Sequence, residues 1–151
     1  MAAPCYVEAP AGYTGPGPRL YLAGGITDCP DWQSDVVAAV TGIPVVLFNP
    51  RRTDFDVGDP SAAAVQVRWE YQNLQRADLV LFWFTEGISP QPIALYELGR
   101  LAAGSKKLVV GAHPDYIRRT DILLQLSLVR PGLVVHSDLG AAVAEAVDRI
   151  Y

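Results

Sequence analysis

Two glutamates stand where helical periodicity calls for apolar side chains. Glu70 falls in a helix predicted over 60–76, three residues after Val67 and four before Leu74, in a stripe that begins at Ala63. Glu97 falls in a second helix predicted over 91–104, four residues after Ile93 and four before Leu101. A carboxylate in an apolar stripe is costly unless it is paired or hydrogen-bonded, so two of them facing one cleft are a chemical signal. Capping, pairing with Arg51, Arg52 or Arg68, or snorkelling to solvent explains one such residue more readily than both. Glu97 lies in the second turn of its helix, where the positive end of the dipole favours the ionised form. An ionised, partly desolvated carboxylate is suited to attack at an anomeric carbon.

The elements that must hold these residues are legible around them. Five short apolar runs occur at 19–24, 43–50, 78–84, 107–113 and 132–137, each followed by a segment of helical character. The runs are continuously apolar rather than alternating, as expected of strands covered by helices on both faces. The helices fall near 31–41, 60–76, 91–104, 114–127 and 138–150, with start signals at Asp59-Pro60 and Asp138 and a stop at Gly104. Five βα units predict a single α/β domain: a doubly wound, flavodoxin-like, five-stranded parallel sheet of order 2-1-3-4-5 with helices on both faces. Residues 1–18, rich in Pro, Gly and Ala, read as a flexible extension laid over the surface, and residues 19–151 as the domain.

Ligands of such a sheet bind beyond the carboxyl ends of the strands, where the strand order reverses. Those ends place Tyr21, Gly24 and Gly25 after the first strand, Asn49-Pro50-Arg51-Arg52 after the second, and the loop from Thr85 to Pro92, with Ser89 and Gln91, after the third. A dinucleotide fingerprint is missing, because Gly24-Gly25 is followed by ITDCPDWQ without a third glycine in place. The acidic pair, Asp and Lys of a phosphorylated receiver domain are replaced by Gly-Gly, Phe84-Thr85 and His136-Ser137. A flavin would want a Ser/Thr-rich phosphate cradle that these loops lack. His113 and His136 read as strand-end residues, since no Ser or Cys nucleophile signature accompanies them.

Composition narrows the class further. Half of the 151 residues are apolar, enough for one core and too short a chain for two ordinary domains. A net charge of −4 provides no basic field for polymeric nucleic acid. Cys5 and Cys29 make neither a disulfide framework nor a zinc site, so neither metal nor cofactor is expected and the chain reads as a cytoplasmic protein. No apolar run approaches the ~20 residues of a membrane span.

The segment Ala77-Asp78-Leu79-Val80-Leu81, followed by Tyr96-Glu97-Leu98-Gly99-Arg100, resembles the core of the nucleoside 2-deoxyribosyltransferase family and its relatives, the deoxynucleoside-monophosphate and CMP N-glycosidases. The likeness runs from about Arg19 to His113. It implies Glu97 as nucleophile and Tyr21, on the first strand ahead of Ala23-Gly24-Gly25, as the hydroxyl that positions it. Counting seven back from Ala77 implies Glu70 as the carboxyl facing base or leaving group, where the family usually carries Asp. Gln91, six before the nucleophile, stands where transferases have Asp for the sugar 5′-hydroxyl and the monophosphate glycosidases tend to have Ser; Ser89 shares that loop. Asn49 and Arg51, with Arg52, are expected on the base side or near a phosphate.

The resemblance implies a two-step displacement through a glycosyl-Glu97 intermediate on a small-molecule nucleoside or nucleotide. Transfer of 2-deoxyribose between bases is the leading expectation. Hydrolysis to free base is the alternative within the same chemistry, and a non-catalytic nucleotide-sensing module is the rival from another class. The resemblance also implies a homo-oligomer, a dimer or larger, whose sites are shared through the region 115–121 after the fourth strand. Residues 114–128, with Tyr116, Ile122, Leu123, Leu124, Leu126 and Leu128, are apolar enough to serve such an interface or the core.

Overall fold

The computed structural model describes residues 5–52 and 58–151, which form one parallel sheet and five helices. In chain order the elements are β1 (Cys5–Glu8), β2 (Arg19–Gly24), α1 (Trp32–Ala39), β3 (Val46–Asn49), α2 (Pro60–Arg76), β4 (Leu79–Phe84), α3 (Pro92–Ala102), β5 (Leu108–Ala112), α4 (Arg119–Val129), β6 (Val135–His136) and α5 (Leu139–Ile150). The strand order is β1-β3-β2-β4-β5-β6. The five predicted strands thus take their predicted order in a flavodoxin-like, doubly wound sheet. The sheet has six strands rather than five, because Cys5–Glu8 adds an edge strand parallel to β3 in the register Tyr6 to Leu47 and Val7 to Phe48. Four residues between Pro4 and Ala9-Pro10 carry too little periodicity to announce a strand, and β1 forms because β3 leaves an edge to pair. Beyond it, Ala11 accepts a hydrogen bond from the Trp69 indole, and Tyr13 packs edge-on against Phe48.

Alternation along each strand divides the core into two layers. Tyr21, Ala23, Phe48, Val80, Phe82 and Phe84 face one way and pack against α2, α3 and α4 through Trp69, Leu74, Leu98, Leu101, Ile122 and Leu126. Leu20, Leu22, Leu47, Leu79, Leu81 and Trp83 face the other way and meet α1 and α5 through Trp32, Val36, Val143 and Ala146. β4 is buried along its whole length, so truncating Leu81 to Ala would cost about 2–5 kcal/mol.

Helix starts follow the predicted chemistry. Asp59 caps α2 by accepting from Ser61 N, with Pro60 at the first helical position, and Asp138 caps α5 by accepting from Ala141 N. α4 begins five residues later than predicted, because His113–Tyr116 and Tyr116–Arg119 form turns first. β6 shrinks to two residues. No helix among the described residues is long and apolar enough to cross a membrane.

Candidate active site

The order reverses beside β2, the strand paired with both β3 and β4, and a cleft of about 320 Å³ opens over its carboxyl end between α2 and α3. Tyr21, Gly24, Gly25, Glu70, Ser89, Gln91 and Glu97 all line it. The two glutamates arrive from different helices, Glu70 from α2 and Glu97 from α3. The stripes that drew attention to them are core at one end only, at Leu74 and Leu101. Val67 and Ile93 are 65% and 64% exposed and line the cleft, while the buried face of α2 runs through Trp69, Asn73 and Leu74. The glutamates share a face with residues that wall the cleft, which is why their spacing looked apolar.

Glu97 is 9% exposed and carries no hydrogen bond among the described residues. Burial, and next the charge of Glu70, raise its pKa to about 8 against a weaker pull from Arg100. The expectation that the helix dipole keeps Glu97 ionised is therefore corrected: desolvation and a like charge outweigh a dipole contribution of ~1 kcal/mol or less. Burial also raises the Glu70 carboxyl, opposed by a hydrogen bond from Gln66 Nε2 to Glu70 Oε1 of 2.8 Å. Tyr21 is 1% exposed, stacks obliquely on Trp69 at 6.0 Å, and is held well above the usual phenol range by burial, then by Glu70 and Glu97. Its hydroxyl stays protonated and makes no hydrogen bond among the described residues.

The small-residue loop after β2 is built for close approach. A Cβ on Gly24, whose φ is +156°, would lie 2.1 Å from the Trp83 carbonyl oxygen, and one on Gly25 would lie 2.4 Å from Cys29 Sγ and 2.6 Å from the Gln91 amide carbon. The Gly25 carbonyl accepts from Trp32 Nε1 and Gln33 Nε2, which fixes the loop against α1.

Three residues expected to contact substrate are used internally. Arg51 does not line the cleft; its guanidinium donates to the carbonyls of Ile26, Cys29 and Pro30, and its Nε to Gln33 Oε1 at 3.0 Å, beside Asp31. Asn49 donates to the Tyr6 hydroxyl and accepts from Arg51 N. Gln91 lines the cleft but its amide is committed: Oε1 accepts from Gly25 N and Thr85 N, and Nε2 donates to Thr85 O at 3.0 Å. Polar side chains at strand ends serve loop carbonyls as readily as ligands, and here the loop 25–30 has unpaired carbonyls to satisfy. Gln91 adopts a left-handed conformation (φ 52°) just ahead of Pro92, so it joins the ends of β2 and β4 to the start of α3, the helix that carries Glu97. The Tyr116 hydroxyl donates to the Pro90 carbonyl and ties the same loop from the β5 side.

Of the polar residues lining the cleft, Gln66 was missed, and Arg52 had been expected only alongside Arg51. Arg52, not Arg51, lines the cleft, where it is the cationic side chain among the lining residues. Gln66 lies one helical turn before Glu70, and that i to i+4 spacing was the available signal.

No curated protein gives a significant match to the chain. A family model described as nucleoside 2-deoxyribosyltransferase like matches residues 17–116, the stretch that contributes β2, the cleft, both glutamates and Tyr21. With most of its length and its whole carboxylate cleft inside that match, the chain belongs to the nucleoside 2-deoxyribosyltransferase-like family.

Proposed function

We propose that this protein breaks the N-glycosidic bond of a nucleoside or nucleoside monophosphate through a covalent glycosyl-Glu97 intermediate and passes the sugar, most simply 2-deoxyribose, to a second base. The observation that carries this reading is the pair Glu70 and Glu97, brought from two helices into one partly dry cleft with Tyr21 and holding their protons against ordinary carboxylate behaviour. Such a pair provides one nucleophile and one acid at the same pH.

In the first step the Glu97 carboxylate attacks C1′, the C1′–N bond breaks, and its electron pair leaves with the base, which takes the proton held by Glu70. In the second step a nitrogen of the incoming base attacks C1′ and releases Glu97, while Glu70 takes the proton that the new base sheds. Two inversions give net retention. Tyr21 donates to Glu97 while it is charged and steadies it in the line of attack. Gly24 and Gly25 let the loop after β2 pack against Trp83, Cys29 and Gln91 beneath the sugar, and Ser89 and Arg52 bear on the sugar's 5′ end or the base. Gln91, Asn49 and Arg51 hold the loops that shape the pocket.

The active form in this reading is a homo-oligomer with a neighbour closing the open side of the cleft. α4 buries only Ile122 and Leu126 inward and exposes Leu124 and Leu128 along its outer side, with Ile117 ahead of it.

The test is incubation with a panel of nucleosides and monophosphates, with and without a second free base, followed by chromatography. Exchanged base in wild type and none in Glu97→Ala is expected, together with a stable 2-fluoro-sugar adduct on the peptide containing Glu97. Release of base only, with no exchange at saturating acceptor, would assign hydrolysis. No turnover of any member by wild type would leave a nucleotide-binding module.

A further inference from the structure

Gln66 is a polar residue on α2 whose amide is oriented without ambiguity. Its Nε2 lies 2.7 Å from the Pro50 carbonyl oxygen and 2.8 Å from Glu70 Oε1. Both neighbours are acceptors, so the nitrogen must face them, and each of its two hydrogens is used. The oxygen end is left buried with no hydrogen-bond partner among the described residues. An orphaned acceptor carries a desolvation penalty that an apolar side chain of the same length would avoid. The residue therefore serves its nitrogen end, and because Oε1 is closed from solvent it does not reach a ligand itself. Pro50 directly follows β3, so the amide also ties α2 to the end of that strand just where Glu70 meets the cleft.

We propose that Gln66 is the positioning residue of the leaving-group acid: it occupies Glu70 Oε1 and so confines the acidic proton to Oε2. This rests on the reading of Glu70 as the acid. A protonated carboxyl free to turn would present its proton on either oxygen, and only one of these faces the departing base. With Oε1 accepting from Gln66, the O–H must be on the other oxygen, and the carboxyl plane is held by an amide that is itself anchored to the sheet. The other groups around Glu70 do not replace this contact. Glu97, on α3, feels the charge of Glu70 and is pulled the other way by Arg100, Tyr21 lines the cleft from β2, and Arg52 lines it from the loop after β3.

The experiment uses Gln66→Met, which keeps length and helix preference but removes the donor, with Gln66→Ala as a second variant, both checked for native folding by circular dichroism. The Glu70 carboxyl is titrated by ¹³C NMR in protein labelled at glutamate side chains, which needs no turnover. The midpoint should move upward in both variants, because the hydrogen bond that lowers it is gone. On a nucleoside with a neutral base kcat should fall about tenfold, and on one whose purine is already 7-methylated and cationic by less than about twofold, since that base leaves unprotonated. An unmoved Glu70 midpoint overturns the proposal, as does equal slowing on both substrates. A midpoint that moves in a protein whose wild type cleaves no nucleoside leaves the control of Glu70 by Gln66 standing and removes the reading of Glu70 as a leaving-group acid.

Discussion

Glu70, from α2, adds its charge to the burial of Glu97 on α3, and together they hold the Glu97 proton until about pH 8. Two carboxyls on separate helices thereby behave as one titrating unit. The active state needs one proton on the pair, with Glu97 charged and Glu70 protonated. Its population follows the same pH dependence whichever carboxyl holds the proton more of the time.

The first prediction concerns kcat/KM as a function of pH. In wild type it should be bell-shaped, rising as the doubly protonated pair loses its first proton and falling as the second leaves near pH 8. In Glu70→Gln the like charge is removed, the Glu97 pKa falls, and the alkaline limb should vanish, leaving a lower curve that rises to a plateau. An alkaline limb at the same pH in that variant would show that Glu70 does not set it. The Glu70→Gln loss should be about 10²-fold or more for neutral bases and small for cationic ones.

A second prediction follows from linkage. Glu97 binds its proton more tightly in the native protein, with a pKa of about 8, than at its unperturbed value of 4.5. A group raised in this way contributes stability that is fully present below 4.5 and is lost as pH climbs to about 8. Wild type should therefore weaken by a few kcal/mol, roughly, across that window. Glu97→Gln should weaken much less there and be the more stable protein at pH 9, while losing on the order of 10⁴-fold or more in turnover. Urea unfolding at several pH values measures the first part, and equal pH slopes for the two proteins would refute it.

The Gln91 amide gives the third prediction. Gln91→Ala strands Gly25 N and Thr85 N in a buried region and should cost about 2–4 kcal/mol, read as a lower urea midpoint at unchanged m-value. Because α3 starts at Pro92, the same change should lower kcat more than it raises KM. Gly25→Ala should act in the same direction, since its Cβ would meet Cys29 and the Gln91 amide. A Gln91→Ala protein with full stability and a raised KM alone would return Gln91 to the substrate.

What could be read in advance depended on how many residues repeated the same message. The strands β2, β4 and β5 each offered five or six consecutive apolar residues, and their order followed from right-handed βα connections. Glu70 and Glu97 drew attention because a carboxylate in an apolar context contrasts with its neighbours, and Tyr21 because it precedes a small-residue loop at a strand end. Asn49, Arg51 and Gln91 were assigned to the ligand because a polar residue after a strand looks the same whether it serves a substrate or a loop carbonyl. Only the distances from Arg51 to Ile26, Cys29 and Pro30 separate the two. The charge state of Glu97 was unreadable for a similar reason: it depends on burial and on Glu70, 27 positions away in sequence and across the cleft in space.

The last prediction is that the protein is at least a dimer at assay concentration and that α4 supplies the contact. Leu124 and Leu128 are four residues apart on one face and 61% and 79% exposed, and Val129 beside them is half exposed. Three apolar side chains clustered on one helix end form a patch that a monomer would keep in water at a cost. Arg119, on the same helix, is committed to the Ala112 carbonyl and Ser137, so it fastens α4 to the sheet and leaves the leucines free for a partner. Light scattering should show an oligomer for wild type and a monomer for Leu124→Glu/Leu128→Glu. Both side chains are exposed, so that variant should keep its fold. If a neighbour closes the cleft, its kcat/KM should drop about tenfold or more, in line with the cost of loosening a reacting geometry. Mixing Glu97→Ala with the leucine variant should not restore activity, because the leucine variant cannot pair. A wild-type protein that is monomeric by light scattering and fully active would end the idea.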